Sequence, residues 1–287
     1  MTELANGKTF LITGVSSGLG QAIARKAIGD GHVVVGTVRR AADAEKFRAL
    51  HPGRAIARIL DVTDDEAVLA AVNDIESSLS PIDVVIANAG YGQEGAFEES
   101  PLNELRNQFA VNVFGAVATI QAVLPHMRAR RSGHILGITS MGGLMTVPGL
   151  AYYHGSKYAL EGILETLGKE VAGFGIHVTA VAPGSFRTDW AGRSMVRTER
   201  AIPDYDELMD PVRAHRRAAD GNQLGDPEKA AAAILSVIEA ADPPTHLLLG
   251  SDALRLVRTG RAAVDAEIEK WADLSRTTDF AEGAQLG

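Results

Sequence analysis

The sequence predicts an α/β fold, a doubly wound parallel sheet with helices on both faces, and three observations carry that prediction. Short apolar runs of strand length alternate with longer amphipathic segments from the start of the chain, and strands alternating with crossover helices pair in parallel. The strand runs are nearly continuous in apolar character, as in "HVVVGTV" (32–38) and "IDVVIANAG" (82–90), which fits strands buried on both faces. A glycine-rich turn, "TGVSSGLG" (13–20), stands between the first strand run and the first helical one.

In chain order, "KTFLITG" (8–14) reads as a buried strand and "LGQAIARKAIGDG" (19–31) as a helix stopped by Gly31. "HVVVGTV" is the second strand and "RAIARILDV" (54–62) the third. "DDEAVLAAVNDIESSL" (64–79) is a helix with acidic residues in its first turn, where they oppose the helix dipole. "IDVVIANAG" is the fourth strand, a long helical region runs from about Leu102 to Arg130, and "GHILGITS" (133–140) is the fifth strand. A helix from about Leu150 to Gly173 leads to the sixth strand, "IHVTAVAPG" (176–184). Residues 185–225 are polar, Arg-rich and broken by Pro203 and Pro211; they read as a lid-like insertion near 190–225. "DPEKAAAAILSVIEA" (226–240) resumes as a helix, "THLLLG" (245–250) is the last strand, and 251–287 is a helical tail, helical to about Leu274. The expectation is one domain over 1–287.

With 46% hydrophobic and 22% charged residues, a chain of 287 can bury a substantial core. A formal net charge of −8 argues against nucleic-acid binding, which needs a basic field. The basic run "RARR" (128–131) reads as a helix end. There are no cysteines, so disulfides and thiolate nucleophiles are excluded. The N-terminal run lacks the cationic lead of a secretory signal, and no stretch is expected to match the roughly 20 apolar residues of a membrane span. The chain therefore reads as soluble and cytoplasmic, with neither nucleic acid nor membrane as partner.

The glycine turn suggests a ligand. Gly14, Gly18 and Gly20 permit a tight turn, close backbone approach and close helix packing, so that donors around Ser16, Ser17 and Leu19 face a pyrophosphate. This is the first turn of a Rossmann-type dinucleotide fold. An acidic residue normally ends the second strand and binds the ribose, but this strand ends in Val38, Arg39 and Arg40. An arginine there pairs with a 2′-phosphate, so NADP(H) is expected over NAD(H). The alternative is that both arginines start the next helix or are solvated.

"GLAYYHGSKYAL" (149–160) holds two adjacent tyrosines. Tyr153 and Lys157 are four apart and share a helix face, whereas Tyr152 pairs with Ser156. A phenol ordinarily titrates near 10; a neighbouring ammonium is expected to lower that value and make Tyr153 a general acid/base. Ser140 ends the fifth strand at the carboxyl edge of the sheet, where such folds bind ligands; it could hold a substrate oxygen or cap a turn. Asn112 lies in an apolar helical run, an unfavourable place for asparagine, and is either a relay member behind Lys157 or a satisfied core residue.

Taken together, "TGVSSGLG", "ANAG" (87–90), Asn112, Ser140, "YHGSK" (153–157) and "PGSFRT" (183–188) resemble the short-chain dehydrogenase/reductase family in its classical form, over about Lys8 to Asp189. The C-terminal part is similar to bacterial oxidoreductases related to 17β-hydroxysteroid and retinol dehydrogenases. The resemblance implies Tyr153 as general acid/base, Lys157 as its tuner and a ribose ligand, Ser140 as substrate-oxygen donor and Asn112 in a proton relay. It implies Asp61 and Val62 at the adenine, and Asn88 with Ala89 and Gly90 supporting the central strands beside the cofactor. Pro183, Gly184, Phe186 and Thr188 would flank the nicotinamide amide. Ala87 and Gly155 depart from common family residues without touching this chemistry. A homodimer or homotetramer is implied as well.

The expected reaction is hydride transfer between NADP(H) and a carbonyl/alcohol pair on a small hydrophobic substrate. Candidate pocket residues are Gln93, Met141, Gly142, Val147, Tyr152, Phe186 and Trp190, under a movable cover at 194–209. A non-catalytic NADP-binding sensor or scaffold, or a sugar-nucleotide epimerase, would use the same fold. Net cofactor turnover separates them.

Overall fold

Every residue of strands β1 (Thr9–Ile12) and β2 (Val33–Val38) is buried, because successive side chains alternate between two covered faces. A computed structural model of the chain describes residues 7–280 other than Ala191 and Arg193. β1 and β2 join β3 (Ala55–Ile59), β4 (Val84–Ala87), β6 (Gly133–Ile138), β7 (Ile176–Pro183) and β9 (His246–Leu249) in one seven-stranded parallel sheet, ordered β3-β2-β1-β4-β6-β7-β9. Chain direction across the sheet reverses between β1 and β4, the position at which such sheets open a crevice beyond their carboxyl ends. β5 (Gly92–Glu94) pairs in parallel with β8 (Met195–Arg197) in a separate ribbon.

Alternation along the strands divides the core in two. Phe10, Ile12, Val34 and Ile86 meet Ile23 and Ala27 of α1 (Gly18–Gly29), Phe47 of α2 (Ala41–Arg48) and Ile234 of α8 (Pro227–Ile238). On the other face Leu11, Val35, Val85 and Ile135 meet Val72 and Ile75 of α3 (Asp65–Ser78), Val123 and Met127 of α5 (Gly115–Arg130), and Leu160 and Leu164 of α6 (Ala151–Val171). Each large side chain buried this way contributes about 1.5–3 kcal/mol. Helix starts follow sequence chemistry: the Asp64 carboxylate accepts from the Ala67 amide at α3, and Asp226 caps α8 ahead of Pro227. "RARR" does end a helix, with Arg131 in the left-handed conformation at φ 53°.

One expectation is corrected and two gain detail. The helical region from Leu102 is α4 (Leu102–Phe109), a π turn over Ala110–Phe114 and then α5. This run of 29 residues is apolar enough over part of its length to cross a membrane by composition, contrary to the expectation that no stretch is; its Ile120, Val123 and Met127 are instead buried in the core. The polar excursion holds β8 and α7 (Asp206–Ala219), with Pro211 inside the helix. Of α7, Met209 and Arg213 are buried, so its buried face carries too few apolar residues to show a helical period. α2 is short and buries only Ala44 and Phe47. The tail is α9 (Ser251–Arg276); residues 281–287 of the expected tail, and 1–6 of the expected domain, lie outside the described residues.

Candidate active site

The end of β1 is locked to the end of β4. Asn88 donates from Nδ2 to the carbonyls of Thr13 (2.8 Å) and Gly14 (3.0 Å), and the amides of Asn88 and Ala89 both donate to Thr13 Oγ1. Gly14 and Gly18 have φ of 73° and 60°, a region disfavoured for residues with a Cβ. A Cβ on Gly20 would lie 2.3 Å from the Gly14 carbonyl oxygen and 2.4 Å from Asn88 Nδ2. Gly20 therefore sits beneath the turn as the close-packing glycine, whereas Gly14 and Gly18 line the cleft. Gly20→Ala is expected to lower stability by about 2 kcal/mol or more by overpacking and to weaken dinucleotide binding, measured by urea unfolding and fluorescence titration.

Above the turn runs a cleft of about 1160 Å³, lined by Gly14, Ser16, Ser17, Gly18, Leu19, Arg39, Asp61, Val62, Asn88, Ala89, Gly90, Tyr153, Lys157, Pro183, Gly184, Phe186 and Thr188. Its size suits a dinucleotide with a small substrate. Ser17, the residue before α1, makes no side-chain cap, so the first-turn amides of α1 have no capping acceptor and suit a phosphate. The residues present thus fit the cofactor.

Where the cleft meets the end of β2, Arg40 pairs with Asp43 at 2.7 Å and starts α2, as the alternative reading of the arginines anticipated for that residue. Arg39 is exposed and has no carboxylate at ion-pair distance among the described residues. Two hydrogen bonds from Thr63 hold the Asp61 carboxyl below its usual range, and the charge of Arg39 adds to this.

The catalytic candidates converge where β6, α6 and the π turn meet. Ser140 Oγ accepts from the Gly142 amide at 2.9 Å, capping the 3₁₀ turn Met141–Gly143, and the same side chain lies beside Tyr153, whose phenol value it acts to lower. The turn-capping alternative is thus met, by a residue that also lines the cleft. Lys157 Nζ lies 5.8 Å from the Tyr153 ring centroid and donates to the Ile138 carbonyl at 2.8 Å. The expected shared helix face is present, but the expected low phenol value is not. Burial pushes Tyr153 up to about 12, against the hydrogen bond with Ser140, and pushes Lys157 down to about 8, against the charge of Glu161.

Asn112 is buried and fully engaged. Its Oδ1 accepts from the Tyr91 amide, and its Nδ2 donates to the Tyr91 carbonyl and to Ser156 Oγ, each at 3.1 Å. The π turn carries it; such single-turn bulges are common at functional sites. These contacts clamp the segment after β4 and do not reach Lys157.

Met141, Gly142, Val147, Phe186 and Trp190 line the cleft, and Trp190 packs on Tyr153 with ring centroids 5.0 Å apart. Two expected wall residues do not. Gln93 is buried, donating to Ser100 Oγ (3.0 Å) and Thr198 Oγ1 (2.8 Å). The Tyr152 hydroxyl donates to the Ser100 carbonyl at 2.8 Å, with the ring edge-on to Phe97. Side chains on β5 and on the far face of α6 point into packing, which a list of loop residues near the strand ends does not distinguish. The segment expected as a cover is tied down: Glu99 receives the amides of Ala201 and Ile202, and Arg200 pairs with Glu99 at 3.1 Å.

The sequence reading missed three residues. His154 accepts from the Val147 amide at Nε2 (3.0 Å) and donates from Nδ1 to the Gly142 carbonyl (2.7 Å), which fixes it neutral and ties both ends of the loop after β6 to α6. Glu161 is buried, accepting from Thr139 Oγ1 and from His246 Nδ1. Arg216 lines the cleft from α7. The signal for Glu161 was present: a carboxylate one turn after Lys157 on the same helix face.

A family model described as short chain dehydrogenase matches residues 8–198. The chain is 37% identical to "Oxidoreductase BOA17" of Botryotinia fuckeliana over 93% of this chain and 98% of that one. It is 35% identical to the "NADPH-dependent 3-dehydrocapnine reductase" of Ornithobacterium rhinotracheale over 71% and 80%. The crystal structure of a short-chain dehydrogenase from Streptomyces avermitilis superposes with a TM-score of 0.90 at 40% identity, covering 97% of this chain and all of that one. With a glycine turn between strand and helix, a Ser-Tyr-Lys cluster whose Tyr153 and Lys157 are buried, and these likenesses, the chain belongs to the short-chain dehydrogenase/reductase family of oxidoreductases.

Proposed function

We propose that the enzyme interconverts a carbonyl and an alcohol on a small, largely apolar substrate with NADP(H), Tyr153 being the general acid/base. The observation that carries this reading is the pair of hydroxyls, Ser140 and Tyr153, that line one cleft at the carboxyl edge of the sheet together with Met141, Met145, Leu150 and Trp190. Bound NADPH supplies the hydride. Ser140 and Tyr153 hold the carbonyl oxygen between them, so that charge developing on it is met by two oriented donors. Burial keeps the Tyr153 phenol protonated, with its value near 12, and an alkoxide is a stronger base than any phenolate. Transfer of the phenolic proton to the reduced oxygen is therefore downhill, which favours reduction as the working direction. Lys157 then stabilises the phenolate until a proton returns.

Arg39 at the adenosine end supports NADP(H), as does the NADPH-dependence in the name of one relative. The chain works as one domain in this proposal, since all seven main strands share one sheet. The test is paired titration with NADPH and NADH at one salt concentration, followed by a screen of ketones and aldehydes for NADPH oxidation. NADPH is expected to bind tenfold tighter or more, about 1.4 kcal/mol, and apolar ketones to be reduced. Equal affinities would sink the role of Arg39, and no consumption across the panel would sink the reductase reading.

A further inference from the structure

On the cover of the cleft, one buried carboxylate faces more than one arginine. Glu94, on β5, is fully buried. Arg213 Nε lies 3.0 Å from its Oε1 and Arg216 Nη1 3.2 Å from its Oε2, both from α7, and Arg197 Nε approaches Oε1 to 3.9 Å. Apart from Glu94, Arg213 and Arg216 meet, among the described residues, only neutral carbonyls, those of Thr198 and Pro148. Glu94 Oε1 and Arg213 Nε are close but not aligned as a hydrogen bond. Two permanently charged guanidiniums therefore share one carboxylate, because arginine does not deprotonate in proteins.

Burying uncompensated charge is costly unless a counter-charge completes the group. Arg216 is where a counter-charge could enter. Its side chain is 14% exposed and lines the cleft together with His215, Ala219 and Gln223. Its Nη1 donates to Glu94 and its Nη2 to the Pro148 carbonyl, so that among the described residues three of its five N–H donors have no hydrogen-bond acceptor. Asp189, also on the cleft wall, is engaged in an interaction of its own. Met145, Val147 and Leu150 also line this cleft, and Arg216 is tied to the carbonyl of Pro148, which lies between Val147 and Leu150 in the chain.

We infer that Arg216 is a specificity residue which binds an anionic oxo group of the substrate, a carboxylate, sulfonate or phosphate, separated by an apolar stretch from the carbonyl that reacts. The inference deepens the proposed carbonyl reduction and rests on it only for the position of the reacting end. A forked guanidinium suits such planar or tetrahedral oxyanions better than an ammonium does.

The experiment separates binding from chemistry. Tyr153→Phe protein saturated with NADPH is titrated calorimetrically with 4-oxopentanoate, 7-oxooctanoate and 10-oxoundecanoate, and with the methyl ester of each. At least one acid is expected to bind tenfold or more tighter than its ester, and adding Arg216→Gln is expected to erase that difference. Arg216→Lys should keep part of it. Because the measure is the acid-to-ester ratio within one protein, a loosened cover shifts both ligands and leaves the ratio intact. Equal affinity of acid and ester at every length, or a preference surviving in Arg216→Gln, overturns the inference. Turnover of the same acids by the unmutated enzyme tests the other reading. An acid preference without NADPH oxidation would overturn carbonyl reduction and leave the anion site standing.

Discussion

Tyr153→Phe is expected to lower turnover on the order of 10³-fold while NADPH affinity stays within a few-fold, the size of effect usual for a lost general acid. Only the hydroxyl is removed. The ring keeps its packing on Trp190 at 5.0 Å, and Lys157 keeps its bond to the Ile138 carbonyl, so neither the cleft nor the fold has reason to rearrange. The remaining donor, Ser140, can still orient a carbonyl but has no partner charge to help it release a proton. The control is the adjacent residue. Tyr152→Phe loses the hydrogen bond to the Ser100 carbonyl, costing about 1 kcal/mol of stability with turnover nearly unchanged. Single-turnover NADPH oxidation and urea unfolding measure the two quantities. Comparable turnover losses in both variants would show that the phenol of Tyr153 has no special role.

The contrast between these neighbours also marks how far the sequence could be read. Spacing alone places Tyr153 with Lys157 and Tyr152 with Ser156, and the succession of buried strands along the chain follows from runs such as "HVVVGTV", buried at every strand position. The glycine turn is legible because its position between strand and helix demands left-handed backbone at Gly14 and Gly18. The value of the Tyr153 phenol was not legible. It depends on burial and on where the Lys157 ammonium points, and Lys157 is spent on a backbone carbonyl that no spacing rule names. The pocket wall was only half legible for the same reason: Gln93 and Tyr152 come from the right segments, but their side chains turn into packing around Ser100. The ion cluster of Glu94, Arg213 and Arg216 joins residues more than a hundred positions apart. Arginines in a polar excursion give no sign of sharing one buried carboxylate.

Lys157→Met is expected to abolish turnover and to change how stability depends on pH, and the second effect reports the electrostatics directly. Burial holds Lys157 at about 8 in the folded chain, with the charge of Glu161 opposing the shift, against about 10.4 for an unperturbed lysine. Between these values the unfolded chain binds the proton that the folded chain has released. Stability of the unmodified protein therefore gains a positive contribution as pH rises from about 8 to 10, with a slope of up to about 1.4 kcal/mol per pH unit. Below pH 8 both states are protonated and the contribution is flat. Above pH 10 Tyr153, raised to about 12 in the fold, acts with the opposite sign, because the unfolded phenol ionises first. Methionine has no proton to release, so Lys157→Met should show a shallower slope across pH 8 to 10, while groups elsewhere cancel in the comparison. Urea unfolding of both proteins at several pH values in this window measures the difference. Parallel curves would mean that the ammonium is solvated in the fold and that its charge is not held at a cost. A divergence would show that the chain stores an unfavourable buried charge beside Tyr153, which a phenolate formed during turnover would relieve.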